Sequence, residues 1–138
     1  MTIRNTGQQT IVLTLPGDGS ESGLRTPLVS WSVRDADGRA VTQNWGARYD
    51  NLINPLRPED VFELAPHQAR ELSSWIPPIF VTGPGRYKVT FHFTNDPQLS
   101  WKGITMRAHD PVTMQRVKKS TPCDVMSAPI EIDVVNHS

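Results

Sequence analysis

Four histidines (His67, His92, His109 and His137) and one cysteine, Cys123, are the side chains here best suited to ligate a metal or attack a substrate. Their spacing favours neither use. A zinc centre needs three or four converging ligands, and no histidine lies four residues from another or close to the cysteine in sequence. His92 and His109 would have to meet near Asp96 to begin one; a solvated strand position and a helix cap account for the same residues. Cys123, beside Asp124 in a Pro-bounded stretch, has no neighbour that favours a thiolate, so a buried or tolerated thiol is expected. No Gly-x-Ser-x-Gly elbow presents a serine nucleophile, and no pair of carboxylates has a spacing that selects glycoside chemistry. Asp35-Ala36-Asp37-Gly38 starts like a calcium loop but lacks the later oxygen ligands and the closing Glu. A hairpin turn explains those residues, and a turn likewise explains Asp18-Gly19-Ser20-Glu21. The expectation is a protein that is not an enzyme, with no metal and no cofactor.

Binding is the chemistry that the remaining residues suit. Trp45, Arg48, Tyr49, Asp50 and Asn51 lie on one aperiodic stretch, and Trp101 with Lys102 lies on another. Aromatic rings and arginine dominate protein interfaces, and rings flanked by short polar groups also stack on sugars. Trp45, Arg48, Tyr49, Asn51, Trp101 and Lys102 are therefore the candidate contact residues, for a protein partner or a glycan. The competing account is that long loops need small cores of their own, which folded-down aromatics supply. Arg107, Arg116, Lys118 and Lys119 give the second stretch a local positive balance, which also suits the end of a helix.

The whole chain does not share that balance. Fourteen Lys and Arg match fourteen Asp and Glu across 138 residues, so no global charge selects nucleic acid or an anionic membrane as partner. No run reaches the roughly eighteen apolar residues of a membrane span. The first residues, Met1-Thr2-Ile3-Arg4-Asn5, lack the apolar core of a signal peptide and read as the end of a strand. They leave open a cytoplasmic protein or an excised exported domain, and the compartment stays unassigned. A lone cysteine excludes an intrachain disulfide, and nothing in the sequence sets the oligomeric state.

The elements that must position these residues read as strands. Twelve prolines and nine glycines punctuate short runs of period-two alternation. Ile11, Leu13 and Leu15 share a face within 9–15; Val29, Trp31 and Val33 point inward within 28–34. Asp37-Gly38 predicts a type I′ hairpin returning through Ala40, Val41 and Thr42. Residues 43–58 have no period. Phe62 and Leu64 share a face, Ala65-Pro66-His67-Gln68 is a turn, and Pro77-Pro78 forces an extended path. From Gly83-Pro84-Gly85 the chain enters its clearest strand, with Tyr87, Val89, Phe91 and Phe93 on one face and Lys88, Thr90, His92 and Thr94 on the other. Residues 95–126 read as a second long connection, in which Asp110-Pro111 followed by 112–119 is the one helix signal. Pro129 to Val135 is the last strand. The expected fold is a single domain over 1–138: an all-β antiparallel sandwich of six to eight strands, with two long loops and one short helix.

Tyr87, entered directly from a Pro-Gly turn, resembles the tyrosine corner of immunoglobulin-like sandwiches, in which the hydroxyl ties back to the preceding loop. Trp31 resembles the core Trp of that architecture, and Val89 stands where antibody domains carry their second Cys. Phe62-Glu63-Leu64-Ala65-Pro66-His67-Gln68 followed by the strand at 83–93 is similar to bacterial immunoglobulin- or fibronectin-III-like domains. Those carry "L-x-P-G" ahead of "P-G-x-Y-x-V-x-F"; His67 departs from the pattern, where Gly is usual. One branch resembles intracellular proteinase inhibitors. The likeness covers roughly residues 60–97 and implies an immunoglobulin-like sandwich presenting loops from a rigid scaffold. A carbohydrate-binding module, a protease inhibitor and, behind them, a hydrolase are the alternatives.

Overall fold

The alternating runs fold as antiparallel strands around a central one. The computed structural model describes residues 1–21, 23–43, 53–76, 78–101 and 108–136. Strands β1 (Thr2–Arg4), β2 (Ile11–Thr14), β3 (Val29–Arg34), β4 (Ala40–Val41), β5 (Val61–Leu64), β6 (Ala69–Glu71) and β7 (Gly85–Asn95) come first. Helix α1 (Pro111–Lys118) follows, then β8 (Cys123–Met126) and β9 (Ile130–Val134). In the larger sheet β7 is flanked on one side by β3, with Trp31 opposite Phe91, and β4 extends that side. Its other side is shared: β9 pairs with Gly85–Val89 and β8 with His92–Asn95. In the other layer β2 pairs with β5, and β1 with β6. Leu13, Phe62 and Leu64 from this layer join Val29, Trp31, Val33, Tyr87, Val89 and Phe93 of the larger sheet in one buried cluster. The protein is all-β and antiparallel, with a sandwich-like pairing of layers and one helix.

Nine strands among the described residues exceed the six to eight expected, because long strands are interrupted. β8 and β9 form one edge broken by a β-bulge. Ser127, Ala128 and Pro129 oppose only Thr90 and Phe91, as the registers His92–Met126 and Val89–Ile130 require. Pro129 has no N–H for the ladder, and Phe91 N–H donates to the Ser127 hydroxyl instead, at 3.0 Å. β8 itself lies inside the stretch read as a long connection. Its residues are half-buried to exposed, as on an edge, so no core periodicity marks it.

The turns follow local chemistry. Asp35 to Arg39 is not the expected type I′ turn, since only Gly38 has a positive φ, at 80°. Gly38 N–H donates to Asp35 O and Asp35 N–H to Arg39 O, a three-residue connection ending on a left-handed glycine. The Asp35 carboxylate accepts from the N–H groups of Asp37 and Arg39. His67 adopts φ 65° after Pro66, the third position of a type II-like turn that ordinarily takes glycine. Helix α1 begins as its sequence indicates: Asp110 accepts from Thr113 N–H at 2.8 Å, and Pro111 takes the first turn. Arg116 then fastens the helix to the sheet by donating to Pro58 O and Val61 O. Tyr87 is buried, and its hydroxyl donates to Gly83 O at 2.8 Å.

Candidate functional site

The hydrogen-bond phase of each ladder shows which backbone groups face outward. Adjacent residues of an antiparallel strand point their N–H and C=O alternately toward and away from the partner. Leu15 N–H donates to Asp60 O, which sets Leu13 and Ile11 as bonded to β5 and turns Val12 and Thr14 outward. Both outward groups of Val12 and the N–H of Thr14 are satisfied across the gap between layers. Val12 exchanges bonds with Thr121, and Thr14 N–H donates to the Asn95 side chain at 2.9 Å. Buried Asn95 also donates to Ser120 Oγ and Thr121 O. At this end the two layers are laced together edge to edge.

Beyond Thr121 the same edges part. β8 continues along β7 while β1 continues along β6, and the seam opens into a groove of about 690 Å³. Ile3, Ile11 and Leu72 form one wall; Phe91, Phe93 and Val125 form the other. Val125, Met126 and Ile130 at its border are 43, 66 and 48% exposed. Ser127 N–H donates to Phe91 O, so Val125 and Cys123 are bonded to β7, and the N–H and C=O of Asp124 and Met126 point out of the sheet.

The polar lining is sparse. Among the polar lining residues, Arg4 donates from Nη1 to His67 O, and His92 stands opposite Met126. Cys123 is half-buried in the lining, and burial together with the Asp124 charge pushes its thiol pKa up. Such a thiol is protonated at neutral pH and is a poor nucleophile. Among the described residues no three His, Cys, Asp or Glu side chains gather as a metal site.

A second cluster gathers Asp18, Arg25, Arg57, Asp60, Trp101 and His109. Arg25 and Asp60, both with fully buried side chains, form an ion pair at 3.1 Å. Arg25 spends its remaining Nη donors on Leu15 O, Gly17 O, Asn54 O and Pro55 O. Burial alone would raise the Asp60 pKa. Hydrogen bonds from Arg57, with the charges of Arg25 and Arg57, instead hold it below the ordinary carboxylate value. Asp18 is also buried, and bonds from Asn54 N–H, the Ser20 hydroxyl and Ser20 N–H, then the Arg25 charge, outweigh burial in the same direction. Gly23 packs directly on that carboxylate, leaving no room for a Cβ. Leu56 N–H donates to His109 Nδ1 at 3.0 Å, which places the ring proton on Nε2, and Trp101 meets the His109 ring edge-on at 5.4 Å. The network pins the residues that lead out of both long loops.

Of the sequence-derived contact residues, Trp45, Arg48, Tyr49, Asn51 and Lys102 lie outside the described residues, as does His137. Trp101 is 7% exposed and belongs to the core, the packing role weighed against a contact role for it. His92 and His109 do not meet: one lies in the groove lining, the other binds Leu56 N–H. The groove escaped sequence reasoning because its walls come from residues 1–11, 72–76, 91–93 and 123–130. The one usable signal was the uninterrupted apolar face of Phe91 and Phe93 opposite a Val-Met edge. No protein-family model, curated protein or solved structure matches the chain.

Proposed function

We propose that this protein is a non-catalytic binding module whose ligand occupies the groove between the parted layer edges. The observation that carries the reading is a sizeable, mostly apolar groove bordered by exposed Val125, Met126 and Ile130, the kind of concavity that small binding sites share. Its lining suits binding better than bond-making, since the Cys123 thiol is held protonated. An anilinonaphthalene sulfonate dye tests it. The expected result is saturable binding of about one dye per chain at neutral pH that slows alkylation of Cys123, with both effects lost in Val125→Arg. Unsaturable binding, or alkylation indifferent to the dye, overturns the reading.

The scaffold belongs, on this proposal, to the immunoglobulin-like sandwiches. Support comes from the pairing of β2 with β5, the β4-β3-β7-β8 order, the inward Trp31 and the Tyr87 hydroxyl tied to Gly83. A second reading keeps Trp45, Arg48, Tyr49, Asn51 and Lys102 as a loop contact site for a protein or glycan. The Arg25–Asp60–Asp18 network, which holds Asn54 N–H shortly after residues 44–52 in the chain, favours it. Polysaccharide affinity gels and a protease panel, run with wild type and Trp45→Ala, test it; identical behaviour of the two proteins removes the loop site.

A further inference from the structure

Resting on the groove reading, we infer that the occupant is an extended polypeptide segment that adds as a strand to the outer edge of β8. An apolar groove alone would suit any greasy ligand; the backbone beside it is more selective. Asp124 and Met126 direct their N–H and C=O groups outward, in the phase set by the Ser127–Phe91 bond. These four groups lie along one edge at the two-residue repeat with which a neighbouring strand bonds. A lipid chain or an aromatic molecule can fill the groove but cannot satisfy that row.

The seam already contains one backbone hydrogen bond between these edges, with a backbone-to-hydroxyl bond beside it. Thr121, two residues ahead of β8, exchanges hydrogen bonds with outward Val12 of the opposing layer. Past this point the layers separate and, among the described residues, no strand pairs with the outer edge of β8, so an incoming segment would extend a contact that the protein itself starts. Strand geometry then dictates the segment's pattern. Successive side chains alternate faces, so every second one enters the groove against Ile3, Ile11 and Val125 and must be apolar, while the others face water. The bulge at 127–129, with Pro129 lacking an N–H, ends the edge and confines recognition to a short segment of about four to six residues.

The test uses a phage-displayed library of random ten-residue peptides, panned on the full chain and counter-selected on Val125→Arg. Ile130→Arg, also at an exposed lining position, replaces that variant if its thermal unfolding shows a lost fold. Enriched peptides should carry apolar residues at alternate positions. As synthetic peptides they should slow Cys123 alkylation and protect the Asp124 and Met126 amides from hydrogen exchange. N-methylation of alternate residues should weaken binding at least tenfold in one phase and leave the other phase unchanged. Binding insensitive to N-methylation in both phases overturns the strand proposal. So does a library without groove-dependent binders when dodecanoate or the dye still protects Cys123, which leaves the groove reading standing. If neither peptides nor those apolar probes protect Cys123, the groove reading falls with it. Dimerisation that protects Asp124 and Met126 without added peptide assigns the edge to a second copy and also overturns the proposal.

Discussion

Arg25 and Asp60 place two opposite charges wholly out of water, where the loss of hydration is large and close pairing with further hydrogen bonds must offset it. Each Nη of Arg25 finds oxygen acceptors and both Asp60 oxygens are engaged by arginine donors, leaving Arg25 Nε as the one buried donor of the pair without a partner among the described residues. Removing one partner leaves the other buried and uncompensated. Asp60→Ala should therefore cost about 3–5 kcal/mol in urea unfolding, whereas Arg25→Met combined with Asp60→Leu should cost clearly less. His109 sets a pH dependence. Burial and the Arg25 charge push its pKa below 6.5, so below pH 6.5 the unfolded chain binds the proton more readily than the folded one. The stability it contributes is complete above pH 6.5 and is lost as the pH falls toward the lowered folded value. Melting temperature followed from pH 7 to 5 should fall more steeply in wild type than in His109→Gln.

The elements show where local chemistry was sufficient. Asp110-Pro111 specified the start of α1, because a cap and a fixed φ act within one turn. Alternation specified the inward faces of β3 and β7, because the two-residue repeat is a property of an extended backbone. The Asp35–Arg39 turn shows the limit. Its position was legible in Asp37-Gly38, yet its type depended on whether one or two residues took positive φ, and only glycine did so. The turn at His67 carries strain instead, since a histidine fills a left-handed position that glycine occupies freely. His67→Gly should raise stability by roughly 0.5–1 kcal/mol after the added flexibility of the unfolded chain is counted, read from the shift in denaturation midpoint.

For the whole molecule the decisive feature is the seam between layers, closed at Val12 and Thr14 and open at β1. Asn95 closes it, bonding Thr14 N–H with one end of its amide and Ser120 and Thr121 with the other. Asn95→Ala strands buried donors and acceptors, each worth about 1–3 kcal/mol when unmet. It should destabilise the fold by roughly 2–4 kcal/mol and speed hydrogen exchange at the Val12 and Thr14 amides. Unchanged exchange there would show that the layers are held together by their apolar faces alone.

Strand faces and the helix cap were determined by the sequence, because each depends on neighbours within a few residues, whereas the Tyr87 anchor was implied by the likeness to tyrosine corners. The tertiary structure alone decided which strand edges are matched, where the bulge falls and which charges are buried. Those depend on pairs such as Val12–Thr121 and Arg25–Asp60, whose partners lie far apart along the chain and carry no pattern that a local window can sense. The groove belongs to this second class. It exists because two edges that run together from Asn95 and Thr121 part before they reach β1 and Met126, and no single segment encodes where they part.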